Sequence, residues 1–378
     1  MKRVLLVSNN FPPTIGGPAT FVDALGHELA RRDFRVTVLC TSAVARDPDD
    51  AARPFVVRRV CLANRYRYEV AVRVALLREL ARHRLVFVNT LEDYLCDVNR
   101  LLRRRYVLKV VGDTVWERAR NLGATCLDVD AFQTDGLAQR SFRAAIERRN
   151  RAVLGAAHVV TPSAYLRRMV IGWGVPEERV TVVANGVDED FATAETPAPR
   201  PGAELRVLFV GRLTNWKGVD TLLLALARVE GARLVVAGDG PQLPSLVALA
   251  RQLGVADRVR FAGAAPRARV RELMRESDVL VLASLYEGMS HTLLEAAALG
   301  LPAIASRCGG NPEVVCDGDS GILVPPQDVA ALRAALVTLR DDEALRHRLA
   351  LAAHGRARGH RVADGVPRIV ELIDALAA

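Results

Sequence analysis

Short apolar runs alternate with amphipathic segments along most of the chain, and this alternation restricts the fold more than any other feature. The run RVLLVS at 3–8 precedes a Pro- and Gly-rich loop, a helical pattern over FVDALGHELARR and a second apolar run at 35–40. A strand, a glycine loop, a helix and a strand in succession are typical of a βαβ unit. The sequence therefore predicts an α/β fold with parallel sheets covered by helices.

The alternation is interrupted by a Pro-, Ala- and Thr-rich stretch at 191–204, and then resumes with LRVLFV, RLVVAG, VRFAG, DVLVLAS and PAIAS. A chain of 378 residues is also longer than most single hydrophobic cores. We therefore predict two Rossmann-like, doubly wound domains facing a central cleft, where a ligand is expected. The predicted segments are a first domain 1–190, a linker 191–204, a second domain 205–355 and a C-terminal helix within 356–378 that packs back on the first domain.

The positive charge is concentrated in the first half. Residues 1–180 contain 30 Lys and Arg against 19 Asp and Glu, a net charge of +11, whereas the remainder has a net charge of −2. The helical pattern at 65–84 and the run Arg103-Arg104-Arg105 could therefore meet an anionic membrane. Packing of that helix on its own sheet, with solvated arginines, remains the alternative. Nucleic-acid binding is disfavoured, because aromatic residues make up 5% of the chain and no nucleic-acid-binding motif is present.

The cysteines and the apolar runs indicate a cytoplasmic protein, with peripheral contact at the inner face of the membrane left open. No Cys-x-x-Cys pair occurs, which argues against a zinc site or a disulfide framework. No apolar run is long enough to span a membrane, and the N-terminal one is too short for a signal peptide. The six cysteines are Cys40, Cys61, Cys96, Cys126, Cys308 and Cys316.

The segment from Glu287 to Glu295 (EGMSHTLLE) contains the densest set of candidate binding residues. Glu287 follows the strand pattern DVLVLAS, and carboxyl ends of strands bind ligands in open α/β sheets. The start of the following helix would present backbone N–H groups to a phosphate or polyol, and Glu295 could accept hydrogen bonds from a ribose diol. A plain strand, loop and helix with two solvated glutamates is the alternative. The remaining candidates in this segment are Gly288, Met289, Ser290 and Thr292.

Two further glycine loops follow strand patterns in the second half. The segment from Gly211 to Gly218 (GRLTNWKG) contains Arg212 and Lys217, two cations suited to phosphate contacts. The loop Gly238-Asp239-Gly240-Pro241 would allow a close backbone approach. Three such loops on one sheet edge predict a site for a nucleoside-diphosphate sugar. No Asp-x-Asp motif follows a strand in this half, so no metal or other cofactor is expected.

These segments, together with Asn185-Gly186-Val187-Asp188 and Gly16-Gly17, resemble glycosyltransferase family 4 over residues 1 to roughly 355. The resemblance implies the GT-B fold and a retaining, metal-independent transfer. The implied donor is a UDP-sugar or, as an alternative, a GDP-sugar, and the acceptor hydroxyl belongs to a saccharide, a lipid-linked molecule or a natural product. A catalytically silent protein that binds a sugar nucleotide is the competing hypothesis.

The resemblance also implies a role for individual residues. Residues matching Arg212 and Lys217 neutralise the diphosphate, and the residue matching Glu287 contacts the hydroxyls of the donor sugar. The residue matching Glu295 binds the ribose, and Gly16 and Gly17 match the loop that closes over the phosphates.

Asp113 marks a departure from the family pattern, because many relatives carry a histidine near this position. Its carboxylate could contact a sugar or acceptor hydroxyl and so belong to the catalytic set. Alternatively, it caps the helix that begins near Thr114. The two roles are compatible, and the sequence leaves both open.

Overall fold

The computed structural model describes residues 2–14, 17–61, 65–187, 189–192 and 204–376. The chain divides into two compact units. The first comprises Met1–Val115, Thr134–Ala184 and Val362–Ala378, and the second comprises Trp116–Gln133 and Asn185–Arg361. Most of the predicted linker 191–204, and also Gly16, lie outside the described residues.

The first unit contains a seven-stranded parallel sheet with the strand order β3-β2-β1-β4-β5-β6-β7. The order reverses between β1 and β4, which is the arrangement of a doubly wound sheet. The strands are β1 (Arg3–Ser8), β2 (Arg35–Ser42), β3 (Val56–Cys61), β4 (Leu85–Val88), β5 (Arg105–Lys109), β6 (His158–Thr161) and β7 (Val180–Val182). The helices that lie between β1 and β7 in the sequence are α1 (Gly17–Arg31), α2 (Arg65–Arg82), α3 (Glu92–Leu102), α4 (Thr114–Asn121), α5 (Val129–Thr134), α6 (Gly136–Leu154) and α7 (Ala164–Gly172). Most of α4 and α5 falls within 116–133 and so belongs to the second unit.

The core of the first unit includes a helix from the far end of the chain. Helix α16 (Val362–Ala375) packs against α1, and both supply residues to one hydrophobic cluster. In α16 the buried side chains recur at the spacing of one helix face, so the helix has an apolar stripe that must be covered. These side chains are Val366, Ile369, Val370 and Ile373.

The second unit contains a six-stranded parallel sheet with the order β10-β9-β8-β11-β12-β13. Its strands are β8 (Leu205–Val210), β9 (Ala232–Ala237), β10 (Val259–Gly263), β11 (Val279–Leu282), β12 (Ala303–Ser306) and β13 (Gly321–Val324). The other helices are α8 (Glu189–Ala192), α9 (Val219–Leu226), α10 (Leu243–Gln252), α11 (Arg267–Glu276), α12 (His291–Ala298), α13 (Asn311–Val314), α14 (Val329–Asp341) and α15 (Glu343–Ala357).

The strand order of the second sheet reverses between β8 and β11, which lie side by side. At such a switch point the connections leave in opposite directions, and a crevice opens beyond the carboxyl ends of the two strands. The predicted α/β class with two doubly wound parallel sheets is confirmed. The loop after β8 carries Arg212 and Lys217, the loop after β11 carries Glu287, and Glu295 lies in the helix that follows that loop, α12.

Candidate active site

Lys217 and Glu287, which are distant in sequence, form an ion pair at the switch point of the second sheet. Lys217 lies in the loop after β8, and its Nζ is 2.6 Å from Oε1 of Glu287, in the loop after β11. Ser284 Oγ donates a second hydrogen bond, of 2.7 Å, to the same oxygen. The lysine and glutamate side chains are 20% and 11% exposed. This arrangement leaves a largely buried carboxylate and ammonium beside each other, within reach of a ligand in the crevice.

Glycines allow the loops around this ion pair to approach closely. Gly218 has φ of +66°, and a Cβ added there would lie 1.9 Å from the carbonyl oxygen of Ala283. Gly309 has φ of +53°, and its added Cβ would lie 1.9 Å from the carbonyl oxygen of Glu287. Any other residue would push these backbones apart. Gly218 therefore allows the lysine loop to approach the glutamate loop, and Gly309 allows the loop after β12 to approach Glu287.

Gly211, Gly238 and Gly240 also have a packing role. A Cβ on Gly238 would lie 1.8 Å from the carbonyl oxygen of Gly211, and one on Gly240 would lie 2.4 Å from that of Leu213. Leu213 N–H donates a 2.9 Å hydrogen bond to the carbonyl of Asp239, which joins the loops after β8 and β9. Predicted donor-binding glycines thus hold two loops of the site against each other.

Arg212 lies between these glycines with an exposed side chain. No hydrogen bond or ion pair of its guanidinium occurs within the described part of the chain. Its five N–H donors can therefore turn toward an incoming anion without breaking a contact with those residues. The two cations thus differ before a ligand binds, since Lys217 is already paired with Glu287.

Ser290 caps the start of α12. Ser290 Oγ accepts a 3.3 Å hydrogen bond from Leu293 N–H, and the carbonyl of Met289 accepts one of 3.0 Å from the Asn185 side chain. Thr292 lies in the first turn, Gly288 in the preceding loop, and both Met289 and Ser290 are buried. The Asn185 contact ties the Asn-Gly-Val-Asp segment to this loop.

Glu295 is paired with an arginine that the sequence analysis did not identify. Arg267 Nη2 is 3.3 Å from Oε1 of Glu295, and the glutamate side chain is 14% exposed. The same guanidinium lies over the ring of Phe191, 5.2 Å from its centroid. Arg267 begins α11, outside every glycine loop, so local sequence gave no signal for it. The pair orients the Glu295 carboxylate.

An aromatic cluster joins the lysine loop and the glutamate loop. Trp116 is fully buried, and its ring is 6.0 Å from that of Trp216 and 5.4 Å from that of Tyr286, centroid to centroid. Trp216 and Tyr286 immediately precede Lys217 and Glu287 in the sequence. Trp116 therefore packs against both neighbours of the ion pair, although sequence analysis assigned it no role.

Cys308 adds an apolar, uncharged neighbour to the glutamate loop. Its Sγ donates a 3.2 Å hydrogen bond to the carbonyl of Ser284, and burial raises the pKa of its thiol to about 12. The thiol is therefore neutral at physiological pH. A thiolate here would stand beside Glu287, and the neutral form avoids that repulsion.

Asp113 belongs to the first unit and is fully buried. One carboxylate oxygen accepts a 3.0 Å hydrogen bond from Val115 N–H at the start of α4, and the other pairs with Arg149 Nη1 at 2.7 Å. Arg149 in turn stacks on Trp173, 3.9 Å from the ring centroid. These contacts favour the capping alternative over a contact with substrate. Gly17, the described member of the predicted Gly16-Gly17 loop, begins α1.

Lys109 is a further buried cation of the first unit, at the carboxyl end of β5. Its Nζ lies 3.5 Å from the centroid of the Phe21 ring. Burial lowers the pKa of its ammonium to about 7. The sequence gives no signal for this residue, because a lysine at the end of an apolar run is typical of a strand terminus.

Neither a metal cluster nor a membrane-spanning helix is found where the structure describes the chain. No three His, Cys, Asp or Glu side chains there group as metal ligands. No helix among the same residues is both long and apolar enough to cross a bilayer. The Asp317-Gly318-Asp319 sequence precedes β13, and Asp317 pairs with Arg307 at 2.5 Å.

Comparison with known families and proteins gives consistent matches along the whole chain. The family described as "Glycosyltransferase Family 4" matches residues 15–191, and the one described as "Glycosyl transferases group 1" matches residues 191–356. A GDP-mannose-dependent α-(1-6)-phosphatidylinositol monomannoside mannosyltransferase of Mycobacterium tuberculosis is 30% identical, with 94% of this chain and 93% of that protein covered. Glycogen synthase of the same species is 38% identical, but the match covers 50% of this chain and 45% of that protein, about half of each.

Solved structures share the architecture. The sucrose-phosphate synthase of Thermosynechococcus elongatus superposes with a TM-score of 0.82 at 22% identity, covering 100% of this chain and 99% of that one. Anabaena HepE in complex with UDP-glucose gives a TM-score of 0.77 at 21% identity, covering 99% and 100%. These similarities confirm the predicted GT-B fold.

Proposed function

Because the chain belongs to glycosyltransferase family 4, we propose that it transfers a hexose-type sugar from a nucleoside-diphosphate sugar to an acceptor hydroxyl, with retention of anomeric configuration. The observation that carries this proposal is the Lys217–Glu287 ion pair at the switch point of the second sheet. It places a cation and a carboxylate where such sheets bind nucleotides.

The cations serve the leaving group. Breaking the bond from the sugar to the diphosphate develops negative charge on the diphosphate, and fixed cations aimed at that charge lower the barrier. Lys217 is held in place by Glu287, so little reorganisation is needed when the phosphates arrive. Arg212 supplies a second cation, whose planar guanidinium can donate paired hydrogen bonds to the phosphates. The leaving phosphate itself takes the proton of the acceptor hydroxyl.

The two glutamates divide the donor between them. Glu295, oriented by Arg267, accepts hydrogen bonds from the ribose diol. Glu287 uses Oε1 for Lys217 and Ser284, and its Oε2 is directed to hydroxyls of the donor sugar. Backbone N–H groups of Gly288, Met289 and Ser290 at the start of α12 contact the phosphates.

The nucleotide of the donor is proposed to be UDP, with GDP as the alternative. Support for UDP comes from the HepE complex with UDP-glucose. Support for GDP comes from the GDP-mannose-dependent relative. We also propose that the reaction needs no metal, since two cations already serve the diphosphate, and that Asp113 acts as a cap. The acceptor is a saccharide, a lipid-linked molecule or a natural product.

The direct test is release of nucleoside diphosphate from a panel of UDP- and GDP-sugars, with and without candidate acceptors. We expect one donor to give acceptor-dependent release that Lys217→Ala lowers by roughly 10²–10³. Arg251→Ala, at an exposed position of α10, should leave this release intact. Anomeric configuration of the product is read by NMR. Tight nucleotide binding without turnover for any donor would instead support the catalytically silent alternative, and an inverted product would contradict retention.

A further inference from the structure

A strongly basic cavity lies at the amino-terminal edge of the first sheet, opposite the edge where parallel strands present their ligand-binding loops. Its volume is about 600 Å³, and among the described residues that line it seven side chains are cationic and none is acidic. Lys2 and Arg3 stand at the start of β1, Arg82 and Arg84 precede β4, and three arginines at 103–105 lead into β5. These three strands are neighbours in the sheet, so the topology gathers cations from three separate segments.

Few of these charges are neutralised by the protein. Lys2 pairs with Asp374 at 2.5 Å, and Arg82 pairs with Glu79 at 3.2 Å. The side chains of Arg3, Arg84 and Arg103 have no hydrogen bond or ion pair within the described ranges. The cavity therefore concentrates like charges that repel one another when no anion is bound.

The arginine segment before β5 is held in a fixed shape. Arg103 adopts the left-handed conformation, with φ of 50°, and its N–H donates to the carbonyl of Asn99. The Asn99 side chain accepts from Arg104 N–H at 2.7 Å and donates to the Arg104 carbonyl at 2.9 Å. Arg104 Nε donates to the carbonyl of Leu80, at the end of α2. The segment is preorganised, so binding an anion costs little backbone ordering.

We propose that this cavity binds a ligand carrying two or more closely spaced phosphate groups. Guanidinium groups match phosphate oxygens through paired hydrogen bonds, and cations from three segments can contact phosphates that a single fork could not reach. The volume is within the range of small-ligand sites. An anion bound there would relieve the repulsion in the folded state and so stabilise it. The site is independent of the proposed sugar transfer, whose residues follow strands of the second unit.

The test compares a pocket variant with a control variant of equal charge. The pocket variant is Arg84→Gln with Arg103→Gln. The control is Arg78→Gln with Arg100→Gln, two exposed arginines of α2 and α3 that do not line the cavity. Calorimetric titration of the full chain with inorganic tripolyphosphate measures soluble phosphate. Sedimentation with phosphatidylcholine vesicles, with and without phosphatidylinositol bisphosphate, measures phosphate on lipid headgroups.

We expect tripolyphosphate to bind the wild-type chain and to raise its unfolding temperature. Its affinity for the pocket variant should be at least about tenfold lower, whereas its affinity for the control variant should equal that of the wild type. If only the vesicles with phosphatidylinositol bisphosphate bind, and the pocket variant alone loses this binding, the site is supported and its ligand is a phosphorylated lipid headgroup. The proposal is overturned if neither probe binds, or if the control variant loses as much affinity as the pocket variant. Circular dichroism of both variants verifies that they are folded.

Discussion

At the scale of single residues, Lys217 has the most direct expected effect on chemistry. Lys217→Ala removes a cation that Glu287 holds in place, so the developing charge on the diphosphate loses a preorganised partner. We expect turnover to fall by roughly 10²–10³, by analogy with removal of one oxyanion donor. Steady-state kinetics at saturating donor, beside a thermal unfolding curve, measures this. Unchanged turnover, or a loss fully explained by unfolding, would contradict the role.

Substitutions of the two glutamates are expected to impair different properties of the enzyme. Glu295→Gln keeps the size but loses the proposed charge-assisted contact to the ribose and weakens the pair with Arg267, so donor and free nucleotide should both bind more weakly. Glu287→Gln should spare binding of free nucleotide and lower turnover or change the preferred sugar. Titration calorimetry with nucleoside diphosphate, alongside kinetics, separates them. Reversed results would show that the roles are interchanged.

Lys109 predicts how stability depends on pH. Its folded-state pKa of about 7 lies below the unfolded value, so the unfolded chain binds more protons between the two. The penalty for burying this ammonium is therefore fully present below pH 7 and decreases as the pH rises toward 10. Lys109→Met should raise the free energy of unfolding most at pH 6.5 and less at pH 9. Urea unfolding at both pH values tests this, and an equal gain at both would refute it.

At the scale of elements, the strands and helices with a clear local periodicity could be predicted from the sequence, whereas two strands that lack a continuous apolar pattern could not. The apolar runs at 3–8 and 35–40 and those after the linker became β1, β2 and β8 to β12, and α12 begins directly after the glutamate loop, as predicted. Strands β3 and β13 were missed. In β3 two arginines interrupt the apolar pattern at the sheet edge, and β13 is a four-residue strand that starts at Gly321.

Helix α4 gives the prediction that belongs to this scale. Trp116 packs on Trp216 and Tyr286, which adjoin Lys217 and Glu287 in the sequence, so it is a positioning residue. Trp116→Leu should lower kcat by about tenfold while KM for the donor changes little, since the residues next to the ion pair would lose the ring against which they pack. Trp116→Phe keeps an aromatic ring and should therefore have a much smaller effect on kcat than Trp116→Leu.

The matched control is Trp173→Leu, a buried tryptophan of the first unit that stacks on Arg149. Both leucine variants remove a buried indole and so lower stability, but only the Trp116 change should alter kcat among molecules that remain folded. An equal kcat effect from both changes would mean that general loosening, and not positioning, is responsible.

At the scale of the whole chain, contacts between distant segments decide which residues belong to which unit. The sequence predicts a first domain over 1–190 and a C-terminal helix within 356–378 that returns to it, and in the structure the segment after 361 groups with the first unit. Residues 116–133, in contrast, group with the second unit. Local patterns carry no information about the grouping of 116–133. The Arg267–Glu295 pair and the packing of Trp116 were missed for the same reason. The ends of strands, in contrast, could be predicted, and with them the loops of Lys217 and Glu287.

The final prediction concerns metal and the chain's charge as a whole. The second half of the sequence has almost balanced charge, so the diphosphate must be neutralised locally, and the cations proposed for this are Arg212 and Lys217. If they suffice, the rate should be unchanged within error after dialysis against EDTA, and Mn²⁺ or Mg²⁺ should not raise it. Arg212→Ala provides the complementary measurement: added Mg²⁺ could partly compensate for the missing cation there, while leaving the wild-type rate unaltered. A strict requirement of the wild-type enzyme for a divalent ion would show that two cations are not enough and would overturn the proposed neutralisation.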